Sequence, residues 1–253
     1  MMQQFRLVDL PQTESTNTYA RTMPVEPSDT TPIVVTTDCQ TCGRGQRGNS
    51  WESEPSKNLT FTLVVYPRWM SPARQFELSM LVSVGIVAAL RPLVPEPEAL
   101  TVKWPNDIYY GDKKLAGILI ENSIGAASIE RSLIGIGLNV NQTVFRSDAP
   151  NPVSLALIAD HEFNRMEVLD DVVDNILDAI NMYADDPEPD ELAALYDSML
   201  WRNDGQLHRW RDMATGRVFE ARMTGVDIDG KLHLTESDGA EHEYLFKEVM
   251  AVL

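Results

Sequence analysis

The sequence contains few residues that could form a metal centre or a disulfide framework. Among 253 residues there are two cysteines and four histidines, and the histidines lie singly, without the paired spacing of a zinc site. Cys39 and Cys42 form a C-x-x-C, but in a predicted loop and not at the start of a helix, where the dipole lowers the thiol pKa of redox pairs. We interpret them as small buried thiols that line a pocket, in a protein of a reducing compartment.

Long apolar runs and basic patches are also missing. The longest apolar run, near Ser79 to Leu90, is interrupted by Ser83 and Gly85 and is expected to be too short to cross a bilayer. The first ten residues lack the layout of a secretory signal. The formal net charge of −17 repels polyanions. We therefore expect a cytoplasmic protein without membrane or nucleic-acid partners.

One glycine-rich loop departs from this acidic background. Residues 39–51 carry three glycines and two arginines, a combination that suits an anion because glycine lets the backbone approach a ligand and arginine supplies fixed charge. Gly43, Gly45 and Gly48 also spell the dinucleotide fingerprint, but Pro55 follows where a helix should open and no acidic residue follows at the required distance. The loop therefore predicts an anion-binding site, and the absence of the helix and the acidic residue argues against a dinucleotide-binding fold.

The pattern of apolar residues predicts an α+β fold with a central mixed or antiparallel sheet flanked by helices. β-Branched runs at 5–10, 32–37 and 59–65 predict strands, and 100–121 predicts a hairpin. Helical spacing predicts a short helix after Ser15, a long buried helix from Ser71 and later helices up to Met199. The acidic side of the helix near 166–183 is interpreted as a solvated surface.

The composition changes near residue 204. Short alternating segments after Leu207, separated by Asp-Gly turns, predict a small all-β barrel. We therefore expect a catalytic domain over residues 1–204 and a C-terminal β-domain over residues 205–253.

Four motifs in order give the chain a resemblance to biotin–protein ligases. They are Gly43 to Gly48 followed by Trp51, Lys103-Trp104-Pro105-Asn106-Asp107, the run Lys114 to Glu121 that contains Gly117, and Gly135 to Asn139. The resemblance implies a biotin/lipoate ligase-like catalytic domain followed by an SH3-like barrel. It also implies that biotin and MgATP give biotinyl-5′-adenylate and pyrophosphate, and that biotin then passes to a lysine of a biotin carboxyl carrier protein domain.

The resemblance also assigns roles to residues. Arg44 and Lys114 would be the catalytic cations, directed at the carboxylate and the α-phosphate. Magnesium ligands stay open, since Asp107 could hold the ion or orient Lys103. Biotin would contact Ser15, Thr16, Asn17, Gln40, Gly43, Arg44, Gly45, Gln46, Lys114 and Gly117. ATP would contact Arg47, Trp51, Lys103, Asn106 and Asn139, with Trp51 stacked on adenine.

Two departures and three alternatives accompany the resemblance. Gln46 stands where many members have arginine, which predicts easier escape of the adenylate. The first predicted strand begins near Phe5, so we expect no N-terminal helix-turn-helix and no repressor activity. The chain could be a monomer or a homodimer. The alternatives are a lipoate or octanoate ligase, a non-catalytic biotin-binding or DNA-regulatory protein, and a nicotinamide-binding protein.

Overall fold

Seven strands between residues 6 and 138 form one mixed sheet. The computed structural model describes residues 5–26, 28–43, 45, 50–147 and 151–252. In chain order the strands are β1 (Arg6–Leu10), β2 (Ile33–Thr37), β3 (Leu59–Val65), β4 (Leu100–Lys103), β5 (Asp107–Tyr110), β6 (Lys113–Ile124) and β7 (Ile129–Leu138). Their spatial order is β1-β2-β3-β7-β6-β5-β4. β1 and β2 pair in parallel, and every other neighbouring pair is antiparallel.

Helices cover both faces of this sheet. They are α1 (Thr16–Thr22), α2 (Gln75–Leu90), α3 (Leu155–Ala159), α4 (Arg165–Asp185) and α5 (Pro189–Ser198). α2 packs on α4, α5, β4 and β5, and α1 packs on β2, β3 and β7. The predicted α+β class, with a mixed sheet flanked by helices, is confirmed.

Alternation along the central strands separates an apolar face from a face with small and polar residues. Leu59, Phe61 and Leu63 of β3 belong to the large core that also contains α2. Thr60 and Thr62 alternate with them, and both are buried. In the partner strands Gly117 lies directly opposite Gly137. The polar face is therefore built from threonine and glycine, and it meets the beginning of α1.

The long apolar helix corrects one expectation. The helical segment Pro72–Leu93 has 22 residues and is apolar enough to cross a membrane by length and composition, so the apolar run is not too short. Most of that window is buried inside the protein, and α2 contacts α4 and α5. Apolar residues surround α2 because it lies in the core.

A second, five-stranded antiparallel sheet follows α5. Its strands are β8 (His208–Asp212), β9 (Val218–Val226), β10 (Leu232–Glu236), β11 (Glu241–Tyr244) and β12 (Val249–Ala251), in the order β11-β10-β9-β8-β12. It touches the first unit through a hydrogen bond of 3.0 Å from the Trp104 indole Nε1 to the Gly230 carbonyl. A small β-domain at this end of the chain agrees with the sequence, and its boundary at residue 205 stays a prediction.

Candidate active site

A cavity of about 1190 Å³ lies between the polar face of the first sheet and the second sheet. Ten of the residues predicted from the sequence line it: Ser15, Thr16, Asn17, Gln40, Gly45, Trp51, Lys103, Asn106, Lys114 and Gly117. Gly43 and Asn139 are described but are not among the lining residues. Cys39 and Cys42 do not line the cavity either, and Cys42 is exposed, so the expectation of buried pocket thiols is wrong. Arg44, Gln46 and Arg47 lie outside the described residues, so their predicted roles stay predictions.

A buried network of hydrogen bonds forms one end of the cavity. The Gln40 side-chain oxygen Oε1 accepts from the Thr16 backbone N–H at 2.8 Å. The Thr62 hydroxyl lies 2.8 Å from Thr16 Oγ1 and 2.6 Å from Asn17 Oδ1. The Asn17 amide nitrogen Nδ2 in turn donates to Glu121 Oε2 at 3.0 Å. Polar groups buried in this way hold one another in a fixed orientation, as recognition of a polar ring requires.

Ser15 does not have the capping contact that its position suggested. It is the N-cap residue of α1, but its side chain makes no capping hydrogen bond. The Ser15 side chain is buried and lines the cavity. Its hydroxyl is therefore not used to cap the helix.

The Trp51 indole lies on the glycines of the two central strands. A Cβ atom on Gly137 would lie 2.3 Å from Trp51 Cε2, and one on Gly117 would lie 3.1 Å from Trp51 Cζ3. Because no side chain fits at Gly137 without moving the ring, this glycine is required by the close approach. The indole nitrogen Nε1 is buried and has no hydrogen-bond partner among the described residues.

A backbone hydrogen bond joins Gly43 and Trp51 on either side of the glycine-rich loop. The Trp51 N–H donates to the Gly43 carbonyl at 3.1 Å, and a Cβ on Gly43 would lie 2.6 Å from the Trp51 carbonyl oxygen. Gly43 therefore supports the loop through its backbone, while Gly45 reaches the cavity itself.

Next to Trp51, the Glu52 carboxylate holds another segment of the cavity wall. It accepts from the Arg146 N–H at 2.9 Å and from the Ser147 N–H at 2.6 Å. Burial would raise the pKa of Glu52, but these bonds, with a third from Gln142, lower it below its usual value. Ser147 lines the cavity, so Glu52 links the Trp51 segment to the 142–147 segment.

Two lysines form the cationic wall. Lys114 Nζ lies 2.8 Å from Asp107 Oδ1 and 5.7 Å from the centroid of the Trp51 ring. Asp107 thus pairs with Lys114, whereas Lys103 donates to the Tyr109 hydroxyl at 2.9 Å. Asp107 makes no direct contact with Lys103, so the structure gives no support to the expectation that it orients this lysine.

Lys103 is enclosed by aromatic rings. Its ammonium lies 4.8 Å from the Tyr109 centroid and 5.5 Å from the Trp201 centroid. Burial lowers the pKa of Lys103, and the charge of Arg202 acts in the same direction, while Asp107 opposes the shift. The site therefore holds the partly desolvated ammonium of Lys103 beside the partly exposed ion pair of Lys114 and Asp107. The two lysines differ in how strongly water screens their attraction to an anion.

The two asparagines predicted to contact ATP already have partners in the protein. Asn106 lines the cavity, and its side chain donates to the Ile118 carbonyl of β6. Asn139 is buried and donates from Nδ2 to the Val153 carbonyl at 3.0 Å, while its Oδ1 has no partner among the described residues. The predicted contacts of both residues with ATP stay predictions.

Several residues of the site were given no role from the sequence, although Gly135 and Gly137 belong to one of the motifs that carry the resemblance. Thr62, Trp201, Gly135 and Gly137 line or support the cavity. A signal existed for the glycines, because two of them at alternate positions of a strand leave one face without side chains. Thr62 carries no such signal, since its role depends on contacts with residues 45 and 46 positions away.

Comparison with known proteins places the chain in a family. Residues 10–139, just over half of the chain, match the model of the biotin/lipoate A/B protein ligase family. The chain belongs to this family. The matched segment contains α1, the glycine-rich loop, both lysines of the cationic wall and the facing glycines.

Two curated members of the family show the extent of the match. A biotin–[acetyl-CoA-carboxylase] ligase of Paracoccus denitrificans is 31% identical over 165 residues, which cover 64% of this chain and 67% of that protein. A bifunctional ligase/repressor BirA of Salmonella typhimurium is 34% identical over 112 residues, 44% of this chain. The chain spans about a third of the length of that relative, at 34%.

Solved structures confirm the fold over nearly the whole chain. A biotin protein ligase from Aquifex aeolicus, in complex with biotin and ATP, has a TM-score of 0.79 and 23% identity, covering 98% of both chains. A biotin protein ligase from Leishmania major in complex with biotin has a TM-score of 0.65 and 22% identity, covering 96% of this chain and 99% of that one. Both sheets of this chain therefore belong to an architecture that these proteins share.

Proposed function

We propose that this protein is a biotin–protein ligase that activates biotin with ATP and transfers it to a lysine of a carboxylase carrier domain. The observation that carries the proposal is the convergence of α1, Trp51, Lys103 and Lys114 on one cavity although they are far apart in the chain. The relatives support biotin as the acid and ATP as the nucleotide, since one is a biotin–[acetyl-CoA-carboxylase] ligase and another binds biotin and ATP.

The chemistry explains why cations are needed in this cavity. In the first step an oxygen of the biotin carboxylate attacks the α-phosphorus, a new P–O bond forms, and the bond to the bridging oxygen breaks to release pyrophosphate. In the second step the acceptor amine attacks the carbonyl carbon, and the C–O bond to AMP breaks. The first step brings two anions together, and fixed cations in a partly dry site offset their repulsion.

Lys114 is the described cation best placed for this role. It lies beside Gly117 and the Trp51 ring, and its ion pair with Asp107 holds it in the cavity wall. Arg44 would be the second cation, and Gly45 beside it lines the same cavity. Lys103, Asn106, Asn139 and Arg47 would contact the nucleotide, with Trp51 stacked on adenine.

The polar network would bind biotin. Ser15, Thr16, Asn17 and Gln40 present buried oxygens and amides at the end of the cavity, where a ureido ring needs both donors and acceptors. Gly43, Gly45, Gln46 and Gly117 would complete the biotin site. Asn17 is held by Glu121 and Thr62, so its orientation is fixed before a ligand arrives.

Magnesium would accompany ATP. The ion usually takes one or two carboxylates together with substrate phosphates, and Asp107 is the one carboxylate among the described lining residues of the cavity. No group of three or more metal-ligating side chains occurs among the described residues, which fits an ion that the nucleotide itself helps to bind. When bound, the ion would neutralise phosphate charge next to Lys114.

The expected setting of this reaction is the cytoplasm, where biotin-dependent carboxylases and ATP are available. The net charge of −17 argues against a nucleic-acid partner. The sequence is compatible with a monomer or a homodimer, and sedimentation with and without biotin and ATP distinguishes the two.

Isotope exchange between ATP and pyrophosphate tests the proposal directly. We expect exchange that depends on biotin, followed by a mass increase of one biotin on a lysine of a carboxyl carrier domain. Exchange that depends instead on lipoate or octanoate would assign the chain to the other branch of its family. Biotin binding without exchange would show a non-catalytic protein.

A further inference from the structure

A tight turn between β11 and β12 holds a lysine in an uncommon backbone conformation. Lys247 has φ of +74°, a left-handed conformation that costs a non-glycine residue about 1 kcal/mol. The Glu248 N–H donates to the Leu245 carbonyl at 3.0 Å, and the Leu245 N–H donates to Glu248 Oε2 at 2.7 Å. Two hydrogen bonds between Leu245 and Glu248 therefore close the turn and fix the position of Lys247 between them.

This turn reaches the cavity of the first sheet. Lys247 and Phe246 both line the cavity. The Phe246 ring packs edge-on against Trp104, with centroids 6.1 Å apart, and Trp104 directly follows Lys103. The second sheet thus brings one of its own cations close to the segment proposed to bind phosphate.

Lys247 differs from the other cations of the cavity in its partners. Among the described lining residues the cations are Lys103, Lys114 and Lys247. Lys114 is paired with Asp107, and Lys103 donates to Tyr109. The Lys247 ammonium lies 5.9 Å from the Phe246 ring centroid and forms no ion pair with a described carboxylate. In a chain with a net charge of −17, a lysine without a carboxylate partner at a cavity is available to a ligand anion.

We propose that Lys247 binds the β- and γ-phosphates of ATP, the part of the nucleotide that leaves as pyrophosphate. This role rests on the proposed function. Lysine suits it because a compact ammonium on a flexible stem acts as a point charge towards phosphate oxygens. The first sheet then supplies the cation for the reacting α-phosphate, and the second sheet supplies one for the leaving group.

The substitution Lys247→Gly separates this role from a structural one. Glycine accepts a φ of +74° without strain, so the variant should be at least as stable to heat as the parent. Loss of the cation should raise the KM for both ATP and pyrophosphate in biotin-dependent exchange by about tenfold. Transfer of biotin from preformed biotinyl-5′-adenylate to the carrier should be unchanged, because that step involves no pyrophosphate.

Two matched variants complete the experiment. Lys247→Arg keeps the charge and should retain most of the affinity for ATP. Lys231→Ala removes a half-buried lysine just before β10 that is paired with Glu243, 3.0 Å away, and does not line the cavity, so it should leave both KM values unchanged.

Unchanged KM values in Lys247→Gly, in a parent that is active, would overturn the role of Lys247 alone. A loss confined to the transfer step would also overturn it and would assign the lysine to the carrier. A parent without biotin-dependent exchange would overturn the proposed function and this role together.

Discussion

The two sheets of this protein use their exposed and buried faces differently. β2 and β3 of the seven-stranded sheet are buried at every position. Leu59, Phe61 and Leu63 of β3 face the core that contains α2, and Thr60 and Thr62 lie on the opposite face. β9 of the five-stranded sheet alternates between exposed and buried residues. A sheet covered on both faces can hold polar groups away from water, whereas a half-solvated sheet contributes mainly through its edge and its turns.

This difference predicts where substitutions matter. In the first sheet a polar group has buried partners, so its loss leaves them unsatisfied. In the second sheet most polar groups face water and can be replaced by it. The second sheet lines the cavity mainly with apolar side chains, and Lys247 is its one charged residue among the described lining residues.

The largest effect is expected from Lys114→Ala. Removing a fixed cation from a site where charge is transferred lowers the rate by roughly a hundredfold to a thousandfold. Biotin-dependent ATP–pyrophosphate exchange measures this loss. Lys113→Ala is the matched control, because Lys113 is the preceding residue of β6, is exposed and does not line the cavity. Equal rates for the two variants would contradict the role of Lys114.

The second prediction compares buried threonine with exposed threonine. Thr62→Val removes the hydroxyl between Thr16 and Asn17 while keeping the shape of the side chain, so two buried oxygens lose a partner. We expect the free energy of unfolding to fall by about 1–3 kcal/mol and the KM for biotin to rise. Thermal unfolding and exchange kinetics measure the two quantities.

Thr224→Val provides the control in the second sheet. The exposed Thr224 hydroxyl donates to the His233 carbonyl at 3.3 Å, and water can replace this bond. The free energy of unfolding of the Thr224→Val variant should therefore differ from that of the parent by less than about 0.5 kcal/mol. A larger loss from Thr224→Val than from Thr62→Val would show that the proposed difference between the sheets is wrong.

The elements of the first sheet were predictable because local patterns determine them. The run of β-branched residues at 59–65 matches β3, and the hairpin expected at 100–121 is found as β4, β5 and β6. Lys114 and Ser15, both assigned to biotin by the resemblance, line the same cavity, and their roles stay predictions. The predicted partner of Lys114, Arg44, lies outside the described residues.

The remaining features depend on contacts between distant residues, which one sequence does not reveal. The pairing of β3 with β7 joins residues 67 to 79 positions apart, and it places Thr60 of the cavity wall beside Gly137, one of the glycines on which Trp51 lies. Lys247 was not identified because a single lysine in a turn is typical of a solvated surface. The packing of Phe246 on Trp104 joins residues more than 140 positions apart and brings the turn with Lys247 to the cavity.

The third prediction concerns the contact between Glu52 and the 142–147 segment. Glu52→Gln removes the charge that receives the N–H groups of Arg146 and Ser147, and stability should fall by about 1 kcal/mol. The pKa of Glu52 is lowered in the folded protein, so its stabilising contribution is present above pH 4.5 and is lost as the pH falls through the folded-state pKa. The difference between variant and parent should therefore shrink in acid.

Thermal unfolding between pH 7 and pH 4 measures this difference, with the exposed neighbour Glu54→Gln as control. Because Ser147 lines the cavity, we also expect a higher KM for ATP in Glu52→Gln. A difference that stays constant with pH would show that the charge of Glu52 does not hold the segment.

The smallest effect is expected where α5 meets the second sheet. Asp197 of α5 is half-buried and accepts from the Val226 N–H of β9 at 3.1 Å. Burial raises the pKa of Asp197, although the Val226 bond and His233 lower it in part. The folded protein therefore favours the protonated form of Asp197. The contribution of this form to the free energy of unfolding is fully present below pH 3.8 and is lost as the pH rises through the folded-state pKa.

Asp197→Asn removes the cost of the buried charge and keeps an oxygen to accept from Val226. We expect the Asp197→Asn variant to be more stable than the parent at pH 7, by less than about 1 kcal/mol. This difference in stability should disappear as the pH approaches 3.8. Thermal unfolding across this range tests the sign, with Asp229→Asn in an exposed turn of the second sheet as control. A less stable Asp197→Asn at pH 7 would mean that the charge itself joins α5 to the second sheet. This contact would then resemble the buried polar network of the first sheet more than the solvated face of the second.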